Sequence, residues 1–253
     1  MRLRDAFPAG RTALVCYAMG GDPSLAATEE LLRAIDGAGA DVIELGIPFS
    51  DPIADGPTLQ AAATRALRGG ATLPALLDLA SRLRLRAPVV VMGYVNPFLA
   101  YGVERFAADA ARAGIQGAII PDLPFEESAP VDAALEARGL ALVPLIAPTT
   151  SLDRARAIAA RARGFVYYVS VTGVTGARAS LPADMAERLA ALRAASPAPV
   201  AVGFGISQPE QAAALRGVAD GVVVGSALVQ AHQERGVAGA AELVRSLAAA
   251  LRG

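Results

Sequence analysis

Ala13-Leu14-Val15-Cys16-Tyr17-Ala18-Met19 is an apolar run rich in strand-forming side chains, and Gly20-Gly21-Asp22-Pro23 interrupts it. An Ala/Leu-rich segment follows, ends at Gly37 and Gly39, and leads into Asp41-Val42-Ile43-Glu44-Leu45. This reads as one strand–helix–strand unit, with Asp22 as N-cap, Pro23 at the first helical position and the two glycines as the stop. Strands joined through a helix pair in parallel, because the connection must cross back over the sheet.

The same rhythm continues to the end of the chain. Further strands are expected at Pro88–Met92, Gly117–Pro121, Ala141–Ile146, Phe165–Ser170, Val200–Gly203 and Gly221–Val224, which with Ala13–Tyr17 and Asp41–Leu45 makes eight. Gly114, Gly139, Gly164 and Gly217 punctuate the later helix-to-strand returns. Ser207 and Glu210 stand at capping-box spacing around Pro209. Eight such units in 253 residues fit a closed (β/α)8 TIM barrel, read as a single domain over 1–253. An open doubly wound sheet would more often carry a Gly-rich dinucleotide turn after its first strand, and Met19-Gly20-Gly21-Asp22-Pro23 is not that turn. The longest interruption, Gly46 to Ala87, follows the second strand, on the face where barrel enzymes place their chemistry.

Composition narrows the chemistry. With 54% hydrophobic and 19% charged residues and a net charge of −1, the chain reads as globular, and its balance argues against nucleic acid or an anionic membrane as main partner. No apolar run reaches the roughly 18 residues a bilayer requires. Asp5, Pro8 and Arg11 interrupt the superficially signal-like start, so a cytoplasmic location is expected. All 23 basic residues are arginine. Without lysine, this chain forms no Schiff base with a carbonyl substrate or with pyridoxal phosphate. A lone Cys16 and a lone His232 are too few for an intrachain disulfide or for the usual Cys/His zinc set, so no metal is expected. Cys16 in its apolar strand reads as a small core residue, and His232 as a helix residue remote from the strand ends.

Glu44 is the candidate acid or base. Alternation places it with Val42 on one face of a strand buried on both sides, near the strand's C-terminal end. A desolvated carboxyl group there has a raised pKa and shuttles protons near neutrality; the alternatives are a structural ion pair with arginine or a shifted register. Asp55, in the loop Gly46-Ile47-Pro48-Phe49-Ser50-Asp51-Pro52-Ile53-Ala54-Asp55-Gly56-Pro57, reads by itself equally as a turn or cap residue. Gly-rich turns after the last three strands, at Thr172–Arg178, Gly203–Ser207 and Gly225-Ser226, suit a phosphate held by backbone N–H groups. Tyr17, Met92, Tyr94, Ile119, Ile146 and Tyr167 either line an apolar pocket at the mouth or fill the core.

The run from Glu44 to Gln60 closely resembles the tryptophan synthase alpha chain family. The resemblance continues in order through Gly21-Asp22-Pro23, Tyr94-Val95-Asn96-Pro97, Pro121-Asp122-Leu123-Pro124, Ser170-Val171-Thr172-Gly173-Val174-Thr175-Gly176, Gly203-Phe204-Gly205-Ile206-Ser207 and Gly225-Ser226. It implies retro-aldol cleavage of indole-3-glycerol phosphate to indole and glyceraldehyde 3-phosphate. On the matching positions, Glu44 is implied as general acid/base and Asp55 as the carboxylate that meets the indole N–H. Gly176, Gly205, Gly225 and Ser226 match phosphate-binding positions. Thr175 matches the loop residue that meets Asp55 on closure, and Tyr17, Met92 and Tyr167 match the indole pocket.

The resemblance also implies a partner beta chain in an alpha2beta2 heterotetramer that receives indole. Pyridoxal phosphate then belongs to that partner, and this chain carries no cofactor. Pro48, Asp51, Pro52 and Asn96 match regions near that interface. The Met19-Gly20-Gly21 turn departs from the commoner Thr-Ala-Gly, and Met92 and Pro121 vary the pocket. A stand-alone lyase that releases indole, or a non-catalytic barrel that binds a phosphoester and activates a partner, are the competing readings.

Overall fold

The computed structural model describes residues 3–169, 183–203 and 205–253. Strand β1 (Ala13–Met19) leads through α1 (Leu25–Ala38) to β2 (Val42–Gly46), and α2 (Pro57–Arg68) and α3 (Leu73–Arg82) then precede β3 (Val89–Met92). Helices α4 (Val95–Tyr101) and α5 (Val103–Arg112) connect to β4 (Ile115–Ile119), and α6 (Ala129–Glu136) to β5 (Ala141–Val143) and β6 (Leu145–Ile146). After α7 (Leu152–Ala159) come β7 (Val166–Val169), α8 (Ala183–Ala195), β8 (Val200–Gly203), α9 (Pro209–Ala213), β9 (Gly221–Val224) and α10 (Ser226–Arg252).

Among the described residues nine strands form one parallel sheet in the order β5-β4-β3-β2-β1-β9-β8-β7-β6. The two ends of that order, β5 and β6, adjoin in the chain, so the sheet closes into a (β/α)8 barrel. Nine strands stand where eight are expected because Pro144 divides the stretch Ala141–Ile146: proline has no N–H to donate to a ladder. Its carbonyl still accepts from the Tyr167 N–H at 2.9 Å. One chain segment thus pairs with β4 before the proline and with β7 after it.

Alternation sorts side chains between two cores. Val15, Val42, Val90, Ile119, Val143, Ala201 and Val223 fill the barrel interior, while Leu14, Cys16, Ile43, Leu45, Val91 and Val222 pack outward against the helices. At the N-terminal ends of the strands the interior is plugged by Leu3, Ala6 and Phe7, with the Phe7 and Phe165 rings 5.1 Å apart. Each such buried aliphatic side chain contributes about 1.5–3 kcal/mol relative to exposure. Arg11 clamps Asp41 bidentately at 2.7 and 2.9 Å, and the same carboxylate accepts from the Leu14 N–H, tying β1 to β2 at the plugged end.

Several boundaries differ from the sequence reading. Ser24, not Asp22, caps α1 through the Ala27 N–H. Asp22 is buried and committed to Arg65 of α2 at 2.7 and 2.8 Å. Gly37 continues the helix, and Gly39 alone ends it. At α9 the N-cap is Gln208 instead of Ser207, and Gln211 Oε1 accepts from the N–H groups of both. Among the described residues no helix is long and apolar enough to cross a membrane.

Candidate active site

Glu44 lies opposite Tyr17 of β1 and Val90 of β3 in the sheet register and is only 1% exposed. Its neighbours on the outward side, Ile43 and Leu45, belong to the outer core, so Glu44 shares the interior face with Val42. Below it the interior is lined among the described residues by an apolar cluster that includes Val15, Val42, Val90, Val143 and Ala201. Carboxyl atom Oε2 is buried without a hydrogen-bond partner, and no arginine among the described residues neutralises the group. Desolvation, reinforced by the negative charge of Asp55, pushes its pKa up to about 8. Glu44 is consequently protonated at neutral pH and is a weak enough acid to give and retake a proton there.

Asp55 reaches the same mouth from the loop between β2 and α2. The Ala54 N–H donates to the Tyr94 hydroxyl at 2.9 Å, and Gln60 Nε2 donates to the Asp55 carbonyl at 2.8 Å. Partial burial raises the Asp55 pKa, and a hydrogen bond from Tyr94 offsets part of that rise. The Tyr94 phenol is correspondingly pushed up to about 12, chiefly by burial.

Two more phenols border the carboxylates. Tyr17 donates to Met19 Sδ at 3.7 Å and packs with Met19, Ala62, Ala63, Ala66 and Val229. Tyr167 packs onto the interior cluster. Burial and the fields of Glu44 and Asp55 raise both phenols well above their ordinary range, so they remain neutral. Each leans over a glycine of the adjoining strand: a Cβ on Gly46 would lie 2.2 Å from Tyr17 Oη, and one on Gly203 would lie 2.8 Å from Tyr167 Oη.

Of the remaining pocket residues, Met92 touches both the interior cluster and the Tyr17 cluster, and Ile119 is fully buried in the interior. Ile146 is placed otherwise. It packs outward with Ile158, Tyr168 and Leu189, because in β6 the alternation turns its neighbour Leu145 inward. Thr175 and Gly176 lie outside the described residues. Gly205 follows β8 with φ +64, a left-handed conformation that favours glycine, and a Cβ there would meet nothing within 4 Å. Gly225 caps α10, Ser226 opens it, and the Gly225 Cβ position would sit 3.7 Å from Tyr17 Cβ. The anion-favouring N-terminus of α10 therefore adjoins the aromatic wall of the pocket.

Sequence reasoning missed Gly46, Leu145, Gln60 and the hydroxyl contact of Tyr94. Only the glycine at the end of β2, two residues beyond an inward-facing position, carried a signal. Cys16 and His232 stay out of the site: burial holds the Cys16 thiol protonated, and His232 is partly buried near Asp22, Glu30 and Arg65, with its pKa lowered by burial.

The mouth of this (β/α)8 barrel brings together a carboxyl group on β2 with a raised pKa, a second carboxylate from the long loop and a helix N-terminus, an arrangement suited to the acid–base chemistry of barrel enzymes. A family model described as tryptophan synthase alpha chain matches residues 3–251, and the chain belongs to that family. The tryptophan synthase alpha chain of Geobacter sulfurreducens is 51% identical over 244 residues, covering 96% of this chain and 92% of that one. A structure of Mycobacterium tuberculosis tryptophan synthase superposes with a TM-score of 0.92 at 40% identity, covering 100% of this chain and 98% of the other. The tryptophan synthase subunit alpha of Legionella pneumophila superposes at 0.90 and 34% identity, covering 100% and 99%. The family's reaction is lyase cleavage of indole-3-glycerol phosphate.

Proposed function

We propose that Glu44 and Asp55 carry out the cleavage of indole-3-glycerol phosphate in this chain. Glu44 delivers its proton to C3 of the indole ring, which turns the ring into an electrophilic indolenine. Asp55 accepts the ring N–H and stabilises the positive charge that develops there. The resulting Glu44 carboxylate takes the proton of the glycerol hydroxyl next to the bond. As the aldehyde carbonyl forms, the bonding electrons return to the ring, releasing indole and glyceraldehyde 3-phosphate. The protonated ring is the electron sink, a role that needs neither a lysine imine nor a cofactor of this chain's own.

The observation that carries this reading is the unpaired, desolvated carboxyl group of Glu44 over a hydrocarbon floor, with Asp55 near enough to raise its pKa. Gly205, Gly225 and Ser226 are assigned to the substrate phosphate, together with Gly176; Tyr17, Met92, Ile119 and Tyr167 are assigned to the indole, and Thr175 is assigned, by its match to the family, to meet Asp55 on closure.

The proposed partner is a beta chain that carries pyridoxal phosphate and takes up indole within an alpha2beta2 heterotetramer. Supporting this, the Asp55 loop exposes Ile53 at 82% and α4 exposes Leu99 at 56%, beside Pro52 and the exposed Asn96. Both are large apolar side chains on segments that follow the C-terminal ends of β2 and β3. The enzyme is read as cytoplasmic, with residues 1–253 acting as one domain.

Product analysis tests the assignment. The chain incubated with indole-3-glycerol phosphate should yield indole and glyceraldehyde 3-phosphate, faster once a beta chain is added. Equal rates with and without the partner would favour a stand-alone lyase, and ligand binding without product would favour a non-catalytic barrel.

A further inference from the structure

We infer that Arg65 and Asp22 form a positioning pair for the cleavage: their ion pair fixes helix α2 and, through the first turn of that helix, the place of Asp55. This rests on the assignment of Asp55 above.

Helix α2 (Pro57–Arg68) begins two residues after Asp55 and is joined to it by more than the chain. Gln60 Nε2 donates to the Asp55 carbonyl at 2.8 Å, and the Gln60 N–H donates to the Gly56 carbonyl at 3.0 Å. A slide or rotation of α2 therefore carries Asp55 with it. The helix has little of its own to resist such a shift. Its buried residues are three alanines, Ala62, Ala63 and Ala66, which pack with Tyr17 and Met19 while Leu59 is partly buried beside them. Its N-cap, Gly56, offers no side-chain hydrogen bond. Alanine methyls bury little area and interlock little with their neighbours, so they hold α2 down without fixing its register.

Arg65 supplies the missing constraint. Its Nε and Nη2 donate to Asp22 Oδ1 and Oδ2 at 2.8 and 2.7 Å, a planar two-point clamp that fixes direction as well as distance. The base of the clamp is firm. Asp22 is 5% exposed, its N–H donates to the Met19 carbonyl at the end of β1, and the neighbouring Gly21 N–H donates to the buried Thr28 Oγ1 at 2.8 Å. Because Ser24 caps α1, both carboxylate oxygens of Asp22 are left for α2. With the clamp gone, Asp55 must be brought into place when substrate is bound, and that loss falls on the chemical step rather than on binding.

The test is Arg65→Met in the full chain, with Arg65→Lys beside it, which keeps a cation against the buried Asp22 but not the two-point geometry. With indole-3-glycerol phosphate, kcat should fall about tenfold or more in Arg65→Met and about threefold or more in Arg65→Lys, with KM changed by less than about threefold in both. In an Asp55→Asn background the same substitutions should change the residual kcat by less than about twofold, because the group they misplace is already gone. Amide hydrogen exchange followed by NMR needs no turnover: the Gln60 N–H should exchange about tenfold or more faster in Arg65→Met, while the amides of α1 keep their rates. An unchanged kcat, equal losses with and without Asp55, or exchange in α2 that quickens only in step with α1 overturns the inference. Where Arg65→Met does not fold, Arg65→Lys decides by the same three measures. Failure of the wild-type chain to cleave the substrate overturns the assignment of function instead, and the exchange rates still decide whether the pair anchors α2.

Discussion

The hydroxyl of Tyr17 occupies the space directly beside Gly46, so close that a Cβ on that glycine would lie 2.2 Å from it and 2.6 Å from the ring carbon Cζ. Tyr17 is also the cross-strand partner of Glu44. The glycine that ends β2 is thus what lets an aromatic side chain lie across the strand bearing the proton donor, and pocket wall and acid are set by one local packing arrangement.

Gly46→Ala should accordingly displace Tyr17 and cost about 1–3 kcal/mol, as overpacking of a filled core does. Urea unfolding gives the stability change, and cleavage rates give the effect on the pocket. The corresponding change at Gly203 has 2.8 Å to Tyr167 Oη and should cost less; equal costs at both positions would contradict the geometric argument.

Glu44→Gln should abolish indole release with the fold intact. It should also alter how stability depends on pH. The folded pKa of Glu44, about 8, lies above its ordinary value of 4.5, so the folded state retains a proton that the unfolded chain releases. The stability this contributes is present in full below pH 4.5 and is lost as pH rises through about 8, by at most about 1.4 kcal/mol per pH unit. The glutamine variant has no such loss, so its advantage over the wild type should grow between those pH values in urea titrations.

The pH profile of kcat/KM should be bell-shaped. Protonated Glu44 is required, which places the alkaline limb near pH 8, and ionised Asp55 sets an acid limb above the ordinary aspartate range. In Asp55→Asn most activity should disappear while phosphate binding, followed by calorimetry with inorganic phosphate, persists. Collapse of phosphate affinity with an untouched chemical step would remove Asp55 from its role.

Ile53→Asp introduces a charge at the exposed tip of the Asp55 loop. Association with a beta chain should weaken about tenfold or more, measured by titration calorimetry, while the chain's own basal cleavage stays within about threefold. Undiminished association would place the partner's docking surface elsewhere.

Much of this architecture is local in origin and was readable from the chain. The alternation in Asp41-Val42-Ile43-Glu44-Leu45 already put Glu44 and Val42 on one face, and the barrel realises it because both faces of the strand are buried. Where the reading failed, a distant partner had won. Asp22 had the right type and position for a cap, but Arg65, 43 residues away, took its carboxylate and Ser24 capped the helix instead. Ile146 looked like pocket lining until Pro144 split its strand and alternation in the short second part turned Leu145 inward.

The sequence by itself determined the periodicities, eight strand-and-helix units and the inward face of β2, and the absence of lysine that excludes imine chemistry. Those properties depend on neighbours a few residues apart. The tertiary structure alone decided how strongly Glu44 holds its proton, that the Tyr94 hydroxyl takes the Ala54 N–H of the long loop, and that Gly46 makes room for Tyr17. Desolvation, fields and steric exclusion act through space, and only closure of the barrel brings residues from β1, β2, β3 and the long loop within their range.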